Sequence, residues 1–230
     1  MHLSIIIPTL NEAANIEATL RPLQALRARD AEIVVVDGGS TDATRELAAP
    51  LADRVMHSAP GRATQMNAGG NAATGDVLLF LHADCALPDD AGALIAQALV
   101  LPQAQWGRFD VRIAGKHFML PVIAWFMNQR SRLSGIATGD QGIFVRRAAF
   151  TRLGGFPDQP LMEDIEFSMR MGRLCVPVFI GECLSTSGRR WERHGVWRTI
   201  WLMWRLRWQY WRGVSPAEIH RAYYRQQHEQ

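Results

Sequence analysis

Acidic side chains follow three apolar segments of the chain, each within a short polar cluster. Glu12 ends PTLNE, Asp37 begins DGGSTD, and Asp84 ends HAD. Carboxylates that converge repel one another, so a pocket that holds them attracts a cation, a proton or hydrogen-bond donors. Taken singly, Asp37 is also explained as a turn former or helix cap, as are Asn11 and Asp42. Their recurrence after three predicted strands favours a binding site.

A further acidic pair, Glu163 and Asp164, lies in MEDIEF within a predicted helix over residues 161–174. Adjacent helical positions point about 100° apart, so only one of the two faces a pocket squarely. A carboxylate held there suits the role of a general base. The alternative is a first-turn pair favoured by the helix dipole. The Gly/Pro-rich approach GGFPDQPL is typical of a binding loop and favours the functional interpretation.

The elements that must position these residues alternate between strands and helices. LSIII, EIVVV and VLLFL are short apolar runs typical of strands, and RVM (54–56) predicts a short one between them. Segments with helical spacing separate them, which indicates a parallel sheet covered on both faces. In such a sheet the carboxyl ends of the strands share one edge, where ligands bind. We therefore expect Glu12, Asp37 and Asp84 in one pocket.

The second half of the chain is less regular. GRFDVRI (107–113), GIFVRR (142–147) and VPVFI (176–180) predict strands, with Pro177 indicating a sheet edge. Residues 116–133 are mostly helical in pattern and broken near Pro121. These features predict an α/β domain over residues 1–188 and a helical extension over residues 189–230 that packs on the same domain.

Composition and cysteine content limit the class of protein. The chain has 230 residues, 48% of them hydrophobic, which is ordinary for a globular protein. Cys85, Cys175 and Cys183 lack metal-ligand spacing, so we expect reduced thiols and a cytoplasmic location. No signal peptide is evident, and the longest apolar run, FMLPVIAWFM, is about half of what a membrane span needs.

Four segments in order, IIIPTLNE, VVVDGGSTD, NAATGDVLLFLHAD and GIFVRRAAFTRLGGFPDQPLMEDIEFSMR, resemble the signature segments of family 2 glycosyltransferases. The resemblance covers roughly residues 3–175. It implies the GT-A fold, which has a Rossmann-like, mostly parallel central sheet flanked by helices. It also implies a nucleotide-diphospho-sugar donor, here a UDP-sugar, with Mn²⁺ or Mg²⁺ as the metal. Transfer would invert the anomeric carbon.

The resemblance also implies roles for individual residues. The nucleotide would contact the first two strand ends through Pro8, Thr9, Glu12 and Asp37. Arg62 and Gln65 stand where the family commonly contacts the nucleotide or its diphosphate, and the planar fork of Arg62 suits a phosphate. A surface salt bridge is the alternative for Arg62. Asp140 and Gln141 in TGDQG would bind sugar hydroxyls.

HAD stands where the family usually carries an Asp-x-Asp motif. Asp84 matches the final Asp and would hold the metal, since hard cations prefer oxygen ligands. His82 departs from the pattern and is either a nitrogen ligand or a hydrogen-bond partner without metal contact. By the same resemblance Asp164 would be the base, and Glu163 would orient the site or meet the acceptor.

The C-terminal extension is basic and aromatic. Its nine Arg and three Glu give residues 189–230 a net charge of +6, against −3 for the rest. Five indoles at helical spacing form one stripe: Trp197, Trp201, Trp204, Trp208 and Trp211. Such a stripe is typical of a core face, which we take as the leading interpretation, while a membrane interface and a dimer seam are the alternatives. Arg189 or Arg190 would be placed to hold a diphosphate.

Two other functions compete with glycosyl transfer. A nucleotidyltransferase would carry a Gly-rich, basic phosphate loop after the first strand, and PTLNE has neither feature. A catalytically silent, membrane-bound sugar-nucleotide module would explain His82 but not the intact acidic pair Glu163–Asp164. The leading prediction is a metal-assisted glycosyltransferase with an unknown acceptor, for which a lipid-linked molecule is one option. Contact with a membrane surface through the 197–212 helix is the alternative to core packing, and we expect no binding to nucleic acid.

Overall fold

The computed structural model describes the backbone of residues 1–228 and the side chains of residues 1–223. Within this part of the chain the strands are β1 Leu3–Thr9, β2 Glu32–Asp37, β3 Arg54–His57, β4 Val77–Phe80, β5 Cys85–Ala86, β6 Trp106–Ala114, β7 Ile143–Arg146 and β8 Val178–Ser187. The helices are α1 Ile16–Arg27, α2 Thr44–Ala48, α3 Arg62–Ala72, α4 Ala91–Ala98, α5 Leu120–Ser134, α6 Arg147–Leu153, α7 Glu163–Gly172, α8 Arg189–His194, α9 Val196–Trp211 and α10 Pro216–His228.

The strands form one mixed sheet in the order β3-β2-β1-β4-β7-β6-β8-β5. The first four strands pair in parallel, as the sequence predicts. β7 is antiparallel to both β4 and β6, so the second half is less parallel than expected. The reversal arises because the segment before β7 lies at the carboxyl end of β4, where Phe80 pairs with Ile143. The α/β architecture is confirmed.

Both faces of the sheet are buried, which explains the uninterrupted apolar strands. Alternate residues of β1 point to opposite sides, so that Ile5 packs with α1 and α4 while Ile6 packs with α3, α6 and α7. Each such isoleucine is fully buried and contributes about 1.5–3 kcal/mol of transfer free energy. The apolar layers hold β1, β2 and β4 in register, so their carboxyl ends lie side by side.

α3 lies unusually close to the sheet because Gly69 faces it. A Cβ at this position would lie 2.5 Å from Cγ2 of Ile6, well inside van der Waals contact. The close approach places Gln65, one turn earlier in α3, directly beneath the ends of β1 and β2. The glycine therefore matters for the position of a side chain at the strand ends.

β8 begins one residue after Pro177 and pairs with β6 along its length. On its other side it meets only the two residues of β5, opposite Ser185 and Thr186. The part of β8 next to Pro177 therefore has an open edge among the described strands, and the prediction of an edge there is confirmed. Pro177 removes a backbone donor that would otherwise face solvent.

The tryptophan stripe of α9 points into solvent, so its assignment as a core face is wrong. Its five indoles are between 59% and 73% exposed. The buried face of α9 carries Val196, Thr199 and Leu206, which lie one or two positions in sequence from the nearest tryptophan. These residues are smaller than tryptophan, and Val196 and Leu206 fill the contacts with α5 and α10. A shift of one position rotates a side chain by about 100° and a shift of two by about 200°, which separates the two faces.

α5 lies beside α9, because Ile123 packs against Val196 and Ile200. α5 and the turn before it also expose large apolar side chains, namely Phe118, Val122, Trp125 and Phe126. We call these four side chains together with the five indoles of α9 the aromatic surface. No helix within residues 1–228 has the length and apolar content needed to cross a bilayer.

Candidate functional site

The carboxyl ends of β1, β2 and β4 form the floor of the candidate site. Thr9 at the end of β1 lies opposite Asp37 at the end of β2. The backbone N–H of Leu81, just after β4, donates to the carbonyl of Ile6 in β1 at 3.0 Å. The polar clusters that follow these strands therefore start from one edge of the sheet, as expected for parallel-sheet proteins.

Asp37 is fully buried and is only half satisfied by the protein. Its Oδ2 accepts hydrogen bonds from the backbone N–H groups of Gly39 and Ser40, each at 3.0 Å. Its Oδ1 is buried without a hydrogen-bond partner. Nδ1 of His57 lies 4.0 Å from Oδ2. Because buried polar atoms are normally satisfied, the unpartnered oxygen indicates a place for a ligand donor such as a base N–H or a ribose hydroxyl.

The loops after β1 and β2 lock onto each other. Asn11, at a left-handed φ of 54°, receives a hydrogen bond at its Oδ1 from Thr41 N–H and donates its own N–H to Ser40 Oγ. Glu12 N–H donates to Thr44 Oγ1 at 2.8 Å. Asn11 thus has the structural role of a turn former, which was the alternative interpretation of this residue in the sequence analysis. The strained loop turns Glu12 toward the other carboxylates.

Glu12 and Asp84 meet at a shared cation. Nη2 of Arg189, the first residue of α8, lies 3.7 Å from Oε2 of Glu12 and 3.7 Å from Oδ2 of Asp84. All three side chains are at least partly exposed, so the pairs are screened by solvent and hold little energy by themselves. Their importance is geometric, because residues 12 and 84 share one crevice and a positive charge occupies it.

The ligand atoms of His82, Asp84 and Cys85 lie within 4.8 Å of one another, which is close enough to surround a metal ion. Burial raises the pKa of the Cys85 thiol, so it stays protonated and is a poor ligand. Burial, helped by the cations Arg62 and Arg190, lowers the pKa of His82 to about 3, so its ring is neutral. Asp84 is the hard oxygen ligand of the group, and the donor set fits Mn²⁺ better than a softer ion.

His82 also connects the strand end to the acidic pair. Its ring is packed against Gly139, where a Cβ would lie 2.3 Å from Nε2. The backbone N–H of Gly139 donates to Oδ2 of Asp164 at 2.9 Å. Gly139 belongs to a short 3-10 helix over Gly139–Gln141. His82 and Asp164 therefore both contact Gly139.

Glu163 and Asp164 form the first turn of α7, and they differ in environment. Met162 precedes them at φ 66°, a rare conformation for a residue with a side chain, and turns the chain sharply into the helix. Glu163 is 4% exposed. Burial and then Asp164 raise the pKa of Glu163 to about 7, while Arg62 opposes the shift. Asp164 is more exposed and keeps a backbone hydrogen bond.

Arg62 thus lies within electrostatic range of both His82 and Glu163. Pro8 and Thr9 end β1, and Thr9 is buried, with its carbonyl accepting a hydrogen bond from Gln65 Nε2 at 2.8 Å. The same Gln65 nitrogen also donates to the carbonyl of Val36 at 2.8 Å. Its amide nitrogen therefore ties β1 to β2.

The TGDQG loop is held from within. Gln141 is fully buried, its Oε1 accepts from the backbone N–H of Thr138, and its Nε2 donates to Asn128 Oδ1 of α5 at 3.3 Å. Asp140 is partly exposed and accepts a hydrogen bond from Thr138 Oγ1 at 2.6 Å. Gln141 therefore fixes the loop, and Asp140 is the side chain that the loop presents.

Two arginines that the sequence analysis did not select also lie here. Arg130 of α5 and Arg207 of α9 are each within electrostatic range of both Asp140 and Asp164. Only the net charge of the C-terminal extension hinted at Arg207, and nothing in the spacing of α5 distinguished Arg130 from its neighbours. Arg207 is remote in sequence from both carboxylates, whereas Arg130 lies 10 positions before Asp140 and 34 before Asp164.

Comparison with known proteins agrees with this geometry. Residues 4–154 match the model of glycosyl transferase family 2. A PGL/p-HBAD biosynthesis glycosyltransferase of Mycobacterium bovis is 47% identical over 91 residues, which cover 36% of this chain and 36% of the relative. The succinoglycan biosynthesis protein ExoA of Rhizobium meliloti is 28% identical over 193 residues, covering 74% of this chain and 57% of ExoA. The match thus spans about a third to a half of these relatives.

Solved structures share the fold. The mannosyltransferase PcManGT from Pyrobaculum calidifontis, in complex with GDP-Man and Mn²⁺, aligns with a TM-score of 0.60 at 24% identity, over 80% of this chain and 56% of that one. The glucosyl-3-phosphoglycerate synthase of Mycobacterium tuberculosis, in complex with Mn²⁺ and UDP, aligns with a TM-score of 0.60 at 19% identity, over 80% and 70%. With the GT-A fold and the four sequence segments in place, this chain belongs to glycosyl transferase family 2.

Proposed function

We propose that the protein transfers a sugar from a UDP-sugar to an acceptor hydroxyl, with inversion at the anomeric carbon. The observation that carries this proposal is two sets of contacts that adjoin along the strand ends. One runs from Glu12 through Arg189 to Asp84, the other runs from His82 through Gly139 to Asp164, and the ligand atoms of Asp84 and His82 lie within 4.8 Å of each other. The opposite ends of these two sets suit a nucleotide and an acceptor, with the reacting carbon between them.

The nucleotide binds at the ends of β1 and β2. The unpartnered Oδ1 of Asp37 accepts a hydrogen bond from the base or ribose, and Pro8, Thr9 and Glu12 line the adjacent loop. Gln65 positions these strand ends through its two carbonyl contacts. A UDP-sugar is our choice of donor because structural relatives bind UDP or UDP-GlcNAc, although another binds GDP-Man.

Asp84 would hold Mn²⁺ or Mg²⁺ against the diphosphate, with neutral His82 beside it. The ion would neutralise charge on the departing nucleoside diphosphate. Arg189, which pairs with Asp84 without the ion, is free to turn toward a phosphate because it is more than half exposed. Arg62 adds a second cation near the diphosphate, and its fork suits phosphate oxygens.

Asp164 is the base. The acceptor oxygen attacks the anomeric carbon, its proton passes to the Asp164 carboxylate, and the bond to the diphosphate oxygen breaks with its electrons on the leaving group. Attack from the face opposite the leaving group inverts the carbon. Glu163 is too enclosed to meet the acceptor and instead orients the site, while Gln141 fixes the loop that presents Asp140 to the sugar.

Calorimetry and donor turnover test this proposal together. Wild-type protein should bind UDP in the presence of Mn²⁺, and Asp84→Ala should bind it more weakly because the oxygen ligand is lost. The matched control is Asp76→Ala, an acidic residue at the amino end of β4, on the opposite edge of the sheet. Equal affinity in all three proteins would refute the assignment of the metal.

We further propose that the aromatic surface rests on a membrane and that the protein works at its cytoplasmic side. Exposed indoles settle at headgroup depth, and cations attract anionic lipid. Arg205 and Arg212 stack on Trp201 and Trp208 at 4.8 Å and 5.2 Å, which keeps positive charge at this surface. The extension over residues 189–230 would then attach the catalytic domain over residues 1–188 to lipid.

Liposome flotation tests this attachment. Trp201→Ser with Trp208→Ser should reduce recovery with vesicles of phosphatidylcholine and phosphatidylglycerol several-fold. Val100→Ser with Leu101→Ser removes exposed apolar side chains elsewhere and should float like wild type. If both double variants float equally well, the aromatic surface does not face a bilayer.

A further inference from the structure

Two cations, Arg130 and Arg207, lie within electrostatic range of the proposed base. Asn128 of α5 accepts a hydrogen bond from Gln141, so α5 lies beside the TGDQG loop, and Arg130 of the same helix is within electrostatic range of Asp140 in that loop. Tyr210 Oη of α9 donates to Oε2 of Glu166 at 3.3 Å, two residues beyond Asp164 in α7. Leu206 packs against Leu161 and Met162, just before the acidic pair. α9 therefore packs beside the start of α7, and its Arg207 lies within electrostatic range of Asp164.

Arg130 is buried without the partners that a buried guanidinium needs. Its Nε and Nη2 have no hydrogen-bond partner. Arg108, on the neighbouring strand β6, is handled differently: its Nε donates to Ser131 Oγ at 3.0 Å and its Nη2 to the carbonyl of Asn128 at 3.1 Å. α5 thus supplies hydrogen-bond acceptors for Arg108 but leaves two nitrogens of Arg130 without an acceptor. A buried cation without acceptors is costly unless a ligand supplies them.

The charges around Arg130 indicate the sign of the charge that such a ligand would carry. Burial lowers the pKa of Arg130 to about 10, and the nearby Arg207 contributes to this shift. Burial also lowers the pKa of Arg207. The carboxylates Asp140 and Asp164 oppose both shifts, yet neither forms an ion pair within 4.0 Å with either arginine in the part of the chain that the structure describes. An anion between the two guanidinium groups would relieve their repulsion.

We propose that Arg130 and Arg207 bind a phosphoryl group of the acceptor, which places the acceptor hydroxyl at Asp164. Two planar forks match the tetrahedral oxygens of a phosphate. The diphosphate of the donor has its own cations, Arg62 near His82 and Arg189 beside Asp84. The inference rests on the proposed function and names its second substrate as a phosphate ester, either soluble or carried by a lipid.

The test separates acceptor binding from donor binding in the full chain. Arg130→Met and Arg207→Met remove one fork each, and Arg152→Met, which removes an exposed arginine of α6 outside the site and the aromatic surface, is the charge-matched control. Calorimetry measures glycerol 3-phosphate as the soluble probe and UDP with Mn²⁺ as the donor probe. Flotation compares vesicles of phosphatidylcholine containing either phosphatidic acid or phosphatidylglycerol as the lipid probe.

We expect Arg130→Met and Arg207→Met each to lower the affinity for glycerol 3-phosphate at least tenfold. If the acceptor phosphate is carried by a lipid, each variant should instead lose the preference for vesicles that contain phosphatidic acid. Arg152→Met should bind within twofold of wild type, and UDP affinity should stay within twofold in all variants. The melting temperature of Arg130→Met should not fall, since an unsatisfied buried cation is removed. Should it not fold, Arg130→Lys keeps the charge without the fork and should weaken the probe several-fold.

Several results would overturn the inference. Wild-type protein that binds UDP but neither phosphate probe has no such site. If the two variants bind the probes as Arg152→Met does, the arginines are structural, and a lower melting temperature with unchanged probe binding leads to the same conclusion. A parallel loss of UDP affinity assigns them to the donor. Failure of wild type to bind UDP is a different result, which refutes the proposed function.

Discussion

Replacing Asp37 by asparagine should weaken UDP binding about 10- to 150-fold while leaving the fold intact. In the structure Oδ2 accepts from the N–H groups of Gly39 and Ser40, and Oδ1 is buried and open. The oxygen of asparagine can take over both backbone contacts. Its NH₂ group then faces the ligand, where a donor would meet a donor.

The magnitude is set by the type of bond that is lost. A hydrogen bond to a charged group contributes about 1.5–3 kcal/mol, and about 1.4 kcal/mol corresponds to a tenfold change in affinity. Asp37→Ala should in addition leave the buried N–H of Ser40 unsatisfied, at about 1–3 kcal/mol. It should therefore lower the free energy of unfolding, whereas Asp37→Asn should not.

Calorimetry with UDP and Mn²⁺, together with thermal unfolding, measures both effects. Asp42→Asn is the control, because Asp42 is an exposed turn residue whose side chain accepts from Ala13 and Thr44. Affinity of Asp37→Asn within threefold of wild type would refute the reasoning, since the open oxygen would then have no ligand. A large loss of stability in Asp37→Asn would refute the account of the loop.

The remaining predictions concern the acceptor side. Asp164→Asn should slow donor turnover about 10²- to 10⁴-fold with unchanged UDP affinity, as measured by initial rates of UDP release, and a wild-type rate would exclude it as the base. The pKa of Glu163 is raised from 4.5 to about 7, so the native state holds this proton more tightly and the free energy of unfolding falls as pH rises between these values. Glu163→Gln should remove that fall and gain up to about 3 kcal/mol at pH 8.5 in denaturant titrations, at about 1.36 kcal/mol per pKa unit; an unchanged pH profile would contradict the burial of its charge. Gly139→Ala should displace His82, because the added Cβ lies 2.3 Å from Nε2, and should weaken UDP binding with Mn²⁺, whereas Gly172→Ala meets nothing within 4 Å and should bind normally. Equal UDP affinity of the two alanine variants would show that the contact with His82 is unimportant.

Local patterns in the sequence predicted much of the fold. Apolar runs such as VLLFL are buried on both faces, and their ends meet at one edge as a parallel sheet requires. The positions of Asp37 and Asp84 could therefore be predicted from the strand pattern. The antiparallel β7 could not, because its direction depends on where the preceding loop lies in space, and a short apolar strand reads the same in either direction.

Side-chain roles were harder to predict when they depend on distant partners. The amide nitrogen of Gln65 is used by two carbonyls at the strand ends, which no local spacing reveals. The tryptophan stripe has the periodicity of a buried face, yet a neighbouring face of α9 fills the available space. Arg130 and Arg207 acquire meaning only when α5 and α9 are brought together, since 77 positions separate them in the chain.

The orientation of α9 sets a length scale for the reaction. Arg207 faces the carboxylates, while Trp204 and Trp208 are exposed on the same helix. A helix with its side chains is about 10–12 Å thick. When the indoles rest at headgroup depth, the reaction centre stands within about one helix thickness of the lipid phosphates. The enzyme would then select acceptors by the distance at which their hydroxyl projects from the bilayer. A lipid acceptor could be glycosylated without leaving its leaflet.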